Sequence, residues 1–202
     1  MSQADERAIQ LAATARLLSL GFSPPDEEAL AELDALARGL LEGDAPPPEV
    51  AELLEADWGS LTTEYAALFG HDCWCIYEGS YEPDSFSAIR ELDELAGFYR
   101  AFGADTGGSR GDRPDHVGSE LEFFAYLAAK RLAAATEEER VICRGAEDAF
   151  LLDHLGRWFP DFCRSVAARA TGFYSALARL GERFIAEELA HRRLEPEHRD
   201  AA

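Results

Sequence analysis

Basic residues are scarce in this 202-residue sequence. It holds 19 Lys and Arg residues against 39 Asp and Glu residues, a net charge of −20 at pH 7. Lys130 is its only lysine. A surface this acidic repels nucleic-acid phosphates and anionic membrane lipids, so we expect no nucleic-acid partner and no attachment to such lipids. The charge suits a cationic partner instead.

Long apolar runs and a disulfide framework are also missing. No apolar run approaches the ~20 residues that a membrane-spanning helix needs. The first residues include acids where a secretory signal would be basic. Four cysteines are too few for the disulfide framework of a small secreted domain. We therefore expect a cytoplasmic protein with reduced thiols and no stable membrane insertion.

Motifs of common catalytic sites are absent too. The sequence has no Gly-x-x-x-x-Gly-Lys phosphate-binding loop and no His-Glu-x-x-His metalloprotease helix. An enzymatic interpretation would have to depend on weaker groupings of residues.

Apolar residues recur at helical spacing along most of the chain, and no useful length of β-alternation occurs. The pattern predicts an all-α fold, a single-chain bundle of about seven to eight helices. The first predicted helix ends at Gly21, and the others cover about 26–42, 48–69, 84–102, 114–132, 137–155, 161–169 and 172–189.

The segments between these helices indicate how the chain is organised. Glycine-rich residues 103–113 predict a hinge or linker within one all-α domain. It would separate an N-terminal helical part, 1–102, from a C-terminal part, 114–190, with a frayed tail at 191–202. Residues 70–83 predict an ordered loop, and Gly156 and Pro160 predict a short turn.

Three groups of residues in the sequence can be interpreted individually. The first two of them could form a binding or catalytic site. His71, Cys73 and Cys75 could hold a soft metal or a cofactor, although no fourth ligand is apparent. The alternative is that both thiols pack around Trp74. A metal or cofactor carrier based on these residues is thus an alternative function for the chain.

The second grouping lies at the predicted start of the helix after the hinge. His116 and Glu120 are i, i+4 neighbours on a partly apolar face, as in a peptide-binding groove. The simpler interpretation is an Asp115 helix cap with a surface His–Glu pair. A nucleotide hydrolase using Asp115 and His116 is a third interpretation, but no phosphate-binding loop supports it.

The third grouping follows the helix predicted at 137–155. His154 is interpreted as capping the carbonyls of a helix end, and Trp158 as the centre of an aromatic contact that turns at Pro160.

Five segments taken together are more specific than any one of them, and Pro-Asp-His is the most specific part. In chain order they resemble the TorD/DmsD family of redox-enzyme maturation chaperones, to which NarJ-type proteins are related. The motifs span roughly residues 60–190. They are Glu64–Gly70, Tyr77–Tyr81, Pro114–His116 followed by Glu120–Phe123, His154–Phe162, and Phe173–Tyr174.

The resemblance implies an all-α cytoplasmic chaperone without catalytic activity. It would bind the immature catalytic subunit of a molybdopterin-dependent oxidoreductase, through its N-terminal twin-arginine signal peptide. It would assist insertion of the molybdenum cofactor and delay export. No resident cofactor is implied, although weak contact with a guanine nucleotide or with the molybdenum cofactor stays open. The protein would be a monomer or a domain-exchanged dimer.

The resemblance also implies a binding surface for the client or its signal peptide, and makes Trp158 and Pro160 a structural lock. The sequence departs from the family at Ile76, where relatives often have proline, and at the extra residue Gly79. The binding residues carried over are Tyr77, Glu78, Ser80, Tyr81, Pro114, Asp115, His116 and Glu120.

The charge pattern agrees with such a client. Arginine pairs bidentately with carboxylates, and a signal peptide combines arginines with an apolar stretch. We expect Glu78, Asp115, Glu120 and Glu122 to be the candidate partners of its arginines.

Overall fold

The computed structural model describes residues 2–70, 74–105 and 113–194, most of which are helical. The all-α prediction is confirmed. None of the described helices combines the length and the apolar character that crossing a membrane requires. The helices are α1 (Gln3–Gly21), α2 (Glu27–Leu41), α3 (Pro48–Glu55), α4 (Leu61–Phe69), α5 (Ser85–Ala101), α6 (Val117–Ala133), α7 (Glu137–Phe150), α8 (Gly156–Ala167) and α9 (Gly172–Leu194).

The first helix lies at the centre of the bundle. It packs along α6 and also contacts α2 and α9, while α8 and α3 pack on α9. The backbones of α1 and α6 approach closely: Ser19 Oγ donates to the Gly118 carbonyl oxygen at 2.8 Å, and a Cβ at Gly118 would collide with Ser23 Oγ. The first helix of the N-terminal part and the helix that follows the predicted hinge therefore share one core.

Local signals place several helix ends as predicted. α1 ends at Gly21, and the Asp26 carboxylate caps α2 by accepting from the Ala29 N–H. The Asp84 carboxylate accepts from the Phe86 and Ser87 N–H groups at the start of α5. A side chain that satisfies free N–H groups stabilises a helix start, which explains why these boundaries are readable from sequence.

The helix predicted over 48–69 is interrupted. α3 ends at Glu55, a short 3₁₀ helix covers Trp58–Ser60, and α4 begins at Leu61. The Asp57 carboxylate accepts a hydrogen bond from the Gly59 N–H at 3.0 Å. Such local bonds compete with a continuous helix, and here the local bond prevails.

The turn predicted at Gly156 and Pro160 is wrong, because the backbone stays helical there. A π-helical turn, Leu151–Leu155, joins α7 to α8, and the Gly156 N–H reaches the Leu151 carbonyl five residues back. Trp158, Phe159 and Phe162 are buried. Burial of these large rings outweighs the local breaking tendency of glycine and proline. Because α7, the π turn and α8 are continuous, the described residues form eight helical rods.

The segments around the hinge and the tail are only partly described. α9 extends to Leu194, into the segment interpreted as a frayed tail, whose residues 195–202 lie outside the described part. Residues 106–112 of the predicted linker also lie outside it. At the end of α5, the Phe102 carbonyl accepts from Tyr126 Oη and Lys130 Nζ, which attaches this end to α6.

Candidate functional site

Two segments that the family resemblance selects, residues 77–81 and 114–116, are far apart in sequence but meet in the structure. Tyr77 and His116 form an isolated antiparallel bridge, and the Glu78 N–H donates to the Asp115 carbonyl oxygen at 2.9 Å. We call residues 77–81 the loop and residues 113–116 the hinge segment. Backbone pairing holds them together, so the eight predicted binding residues lie in one region of the molecule.

The hinge segment contains a forked ion pair. Arg113 Nε donates to Asp115 Oδ1 at 3.0 Å, and Arg113 Nη2 donates to Asp115 Oδ2 at 2.8 Å. The same guanidinium lies 4.7 Å from the centre of the Tyr77 ring. The Asp115 side chain is 1% exposed, whereas that of Arg113 is 55% exposed. Asp115 thus already binds a guanidinium group that faces solvent.

His116, and not Asp115, caps α6. Its Nδ1 accepts a hydrogen bond from the Gly118 N–H at 3.0 Å, and its ring meets the Tyr77 ring edge to face at 5.5 Å. His116 and Glu120 are both buried. The interpretation as an Asp115 cap with a surface His–Glu pair is therefore wrong, because α8 and the loop cover this face.

Glu120 is a carboxylate with no exposed surface. Its Oε2 accepts from the Trp158 indole N–H at 3.1 Å, and its Oε1 has no hydrogen-bond partner. Burial raises the pKa of Glu120 well above its usual range, and the nearby Glu78 charge adds to this, while the indole N–H opposes it. Trp158 also contacts the Tyr81 ring at 5.2 Å, so it connects this carboxylate to the loop.

A second buried group surrounds His154. Its Nδ1 lies 3.2 Å from Glu78 Oε2 and 2.8 Å from Glu91 Oε1. Burial raises the pKa of Glu78, and the Glu91 charge adds to it, although His154 opposes the shift. Burial alone would lower the pKa of His154, but the contacts with Glu78 and Glu91 raise it. Opposite charges thus favour a protonated imidazole between carboxylates.

The π turn positions His154, and the prediction that this residue caps a helix end is wrong. There is no helix end here, and the imidazole instead packs against the Phe98 and Phe150 rings at 5.6 and 5.1 Å. Single-turn π insertions in α-helices often occur at functional sites, because the extra residue redirects a side chain.

Glu91 is not among the site residues predicted from the sequence. It lies on the buried stripe of α5 with Leu95 and Tyr99, four and eight residues further on. A carboxylate in register with an apolar stripe was the available signal. Arg157, another missed residue, donates to Glu82 Oε1 at 3.0 Å and lies 3.5 Å from Glu91 Oε2.

The four carboxylates expected to receive client arginines all have partners within the chain. Glu78 contacts His154, Asp115 binds Arg113, Glu120 accepts from Trp158, and Glu122 pairs with Arg16 at 2.6 Å. Of the eight predicted binding residues, four have solvent-accessible side chains, since Glu78, Asp115, His116 and Glu120 are buried. The accessible ones are Tyr77, Ser80, Tyr81 and Pro114.

An apolar groove of about 450 Å³ lies beside the hinge segment, between α1, α5 and α6. The Tyr99 hydroxyl at its wall donates to the Pro114 carbonyl oxygen at 2.8 Å. The other lining residues include Ala12, Phe123, Ala125 and Tyr126, with Arg16, Asp105 and Glu122 as charged ones.

The alternative metal site falls mostly outside the described residues. His71 and Cys73 lie in the undescribed segment 71–73. Cys75 is half-buried. A metal or cofactor at His71, Cys73 and Cys75 stays a prediction.

Comparison with known proteins identifies relatives of the chain. The model of the nitrate reductase delta subunit family matches residues 19–164. A selenate reductase assembly chaperone protein from Thauera selenatis is 34% identical, over 80% of this chain and 79% of the relative. A chaperone protein TorD from Vibrio cholerae is 26% identical, over 85% and 86%.

A solved structure has the same fold. The crystal structure of a protein described as a redox enzyme maturation protein, from Archaeoglobus fulgidus, matches with a TM-score of 0.62 and 25% identity. The match covers 87% of this chain and 93% of that one. The chain therefore belongs to the nitrate reductase delta subunit family, the NarJ- and TorD-related maturation chaperones that its motifs resemble.

Proposed function

We propose that the protein is a system-specific cytoplasmic chaperone for the immature catalytic subunit of a molybdopterin-dependent oxidoreductase. It binds the N-terminal twin-arginine-type signal of that subunit, assists insertion of the molybdenum cofactor and delays export. The main support for this proposal is that the chain is 34% identical to a selenate reductase assembly chaperone along four-fifths of both chains. Like its relatives, it acts as a chaperone and not as an enzyme.

The client's arginines bind at the hinge segment. Asp115 holds the Arg113 guanidinium with two parallel hydrogen bonds, and Arg113 is more than half exposed. A client arginine that displaced Arg113 would make the same two bonds, because forked pairing depends on the planar guanidinium group. Tyr77, which already stacks against Arg113, would contact the incoming group in the same way.

The client's apolar stretch binds in the groove between α1, α5 and α6. A volume of about 450 Å³ accommodates a few aliphatic side chains. The hydrogen bond from Tyr99 to Pro114 joins the groove wall to the hinge segment, so the apolar and the arginine sites are adjacent. This adjacency suits a signal peptide in which the apolar stretch lies next to the arginines.

The buried carboxylates position the surface and do not touch the client. Glu78 and Glu120 are fully enclosed, but Glu78 is bonded through its backbone to Asp115, and Glu120 through Trp158 to the Tyr81 ring. They hold the loop against the hinge segment.

Peptide titration tests this proposal. The full chain is titrated in low salt with a fluorescent signal peptide from a molybdoenzyme encoded beside its gene. We expect micromolar binding, at least tenfold weaker for a peptide with both arginines changed to lysine, since lysine cannot form the fork. Asp115→Asn should weaken binding similarly, whereas Asp34→Asn, at a surface pair with Arg38 on α2, should not.

Circular dichroism must show that Asp115→Asn keeps its fold, because the carboxylate is buried. If neither the peptide nor the full apo-subunit binds at micromolar concentration in low salt, the proposed client is wrong. Equal affinity for the arginine and lysine peptides would reject the role of Asp115.

A further inference from the structure

Three side chains from separate elements converge under the loop. Glu78 comes from the loop, Glu91 from α5 and His154 from the π turn, and each is at most 2% exposed. One ligand-type atom from each lies within 4.8 Å of the others. The elements that carry them are separated by up to 76 residues, so tertiary packing alone creates this arrangement.

The distances fit the edges of a metal coordination shell. His154 Nδ1 lies 2.8 Å from Glu91 Oε1 and 3.2 Å from Glu78 Oε2. Nitrogen and oxygen ligands bound at about 2.1 Å to one ion are separated by about 3.0 Å in octahedral and about 3.4 Å in tetrahedral geometry. Both distances are therefore compatible with one shared ion, and the ligand atoms of the two carboxylates lie within 4.8 Å of each other.

Two carboxylate oxygens of this three-residue group have no hydrogen-bond partner. Glu91 Oε1 points at His154 Nδ1 but makes no hydrogen bond, and Glu78 Oε1 also has no partner. An imidazole Nδ1 carries at most one hydrogen, so it cannot serve both carboxylates. A buried carboxylate oxygen without a partner is costly, and a cation bound to Glu91 Oε1 removes that cost for Glu91.

The charge balance points the same way. The nearest arginine, Arg157, is shared between Glu91 and Glu82, at 3.5 and 3.0 Å, and its side chain is 49% exposed. It compensates one carboxylate at most, while Glu120 adds another buried acid nearby. A dication that displaces the proton from His154 Nδ1 would neutralise Glu78 and Glu91 together.

We propose that Glu78, Glu91 and His154 bind one divalent first-row transition-metal ion of the Zn²⁺ or Mn²⁺ type. Two carboxylates and one imidazole suit such ions better than soft, thiolate-preferring ones. The bound ion fastens the loop to α5 and to the π turn, and so stabilises the surface that includes Asp115. The site uses none of His71, Cys73 and Cys75, and it does not depend on the proposed client.

Metal titration of the EDTA-treated full chain tests the site. Mn²⁺ is followed by electron paramagnetic resonance, and Zn²⁺ by competition with a chelating dye. We expect one ion per chain at micromolar concentration and a rise in Tm, because a ligand specific to the folded state stabilises it. X-ray absorption of the Zn²⁺-loaded wild-type protein should show nitrogen and oxygen ligands without sulfur.

Variants locate the ion. Glu91→Gln and His154→Gln should each weaken Mn²⁺ binding at least tenfold. Glu82→Gln is the matched control, because Glu82 contacts Arg157 but lies outside the three-residue group, and it should bind normally. A Cys73→Ser, Cys75→Ser double variant should also bind normally.

The proposal is overturned if wild-type protein binds neither ion at 100 µM, or if the zinc shell contains sulfur. Mn²⁺ binding that is unchanged in a folded Glu91→Gln or His154→Gln protein would overturn it too. The absorption spectrum needs no variant, so the test stands even if both substitutions prevent folding.

Discussion

At the scale of single residues, Glu120 shows how burial controls the charge of a side chain. Its carboxyl group has one partner, the Trp158 indole, and its pKa is raised well above the usual range because it is buried and because Glu78 is near. An acid that ionises with difficulty in the folded state favours folding only while it is protonated. Glu120 therefore makes the stability of the protein depend on pH.

The sign of this dependence follows from proton linkage. Between the pKa of Glu120 in the unfolded chain and its higher pKa in the folded chain, the folded state binds more protons. The free energy of unfolding must then fall as pH rises through that window. Glu120→Gln removes the titration and keeps an oxygen that can accept from Trp158.

We therefore expect Glu120→Gln to gain stability over wild type as pH rises from 4 to 8. The gain should be about 1.4 kcal/mol for each unit by which folding raises the pKa of Glu120. Urea unfolding followed by circular dichroism at each pH measures it. Glu187→Gln, at an exposed position of α9, is the control and should change stability by less than about 0.5 kcal/mol. Parallel wild-type and Glu120→Gln curves would contradict the assignment.

At the scale of elements, the π turn determines where His154 points. A Cβ at Gly156 would lie 2.6 Å from the Leu151 carbonyl oxygen, closer than real Cβ atoms approach a backbone oxygen. The turn thus requires glycine at this position. Gly145 lies in α7, in the same helical rod, and a Cβ there would meet no atom within 4 Å.

Matched glycine substitutions test this requirement. Gly156→Ala should destabilise the protein by about 2–4 kcal/mol, because the backbone must shift or the π turn must rearrange. Gly145→Ala should stabilise it by about 0.5–1 kcal/mol, since alanine favours helix and meets no neighbour. Urea unfolding measures both. If Gly156→Ala were as stable as Gly145→Ala, the π turn would not require glycine.

The loop and the hinge segment show which properties of a segment can be predicted from its sequence and which cannot. The residues that the resemblance selects in each segment do pack together, through the bridge of Tyr77 and His116. Their exposure was not predictable, because the cover over Glu120 and His116 comes from α8 and from the loop itself. A spacing of i, i+4 shows that two side chains share a face, but not whether another element buries that face.

At the scale of the whole molecule, a net charge of −20 governs encounters with partners. Opposite net charges increase association rates by steering, and dissolved salt screens this effect. A cationic signal peptide should therefore meet this protein faster than a neutral one.

We expect the association rate constant for the signal peptide to fall at least tenfold between 20 and 500 mM NaCl. The dissociation rate should change less, because short-range contacts govern it. Stopped-flow fluorescence measures both rates, and a peptide of zero net charge is the control that should respond weakly. A salt-independent association rate with the cationic peptide would show that the net charge does not steer it.

The sequence alone was enough for the helical class, most helix ends, the acidic surface and the two segments that meet at the site. These properties depend on near neighbours in the chain: apolar spacing, capping side chains such as Asp26 and Asp84, and summed charge. They can be read locally because a helix forms its backbone hydrogen bonds within its own turns.

Tertiary structure decided the rest. It extended the helix through Gly156 and Pro160, buried Glu120, and brought Glu91 to His154 across more than 60 residues. These outcomes depend on which surfaces exclude water from each other and which charges then lack a partner. Burial and pairing are properties of the assembled core, and no short stretch of sequence contains them.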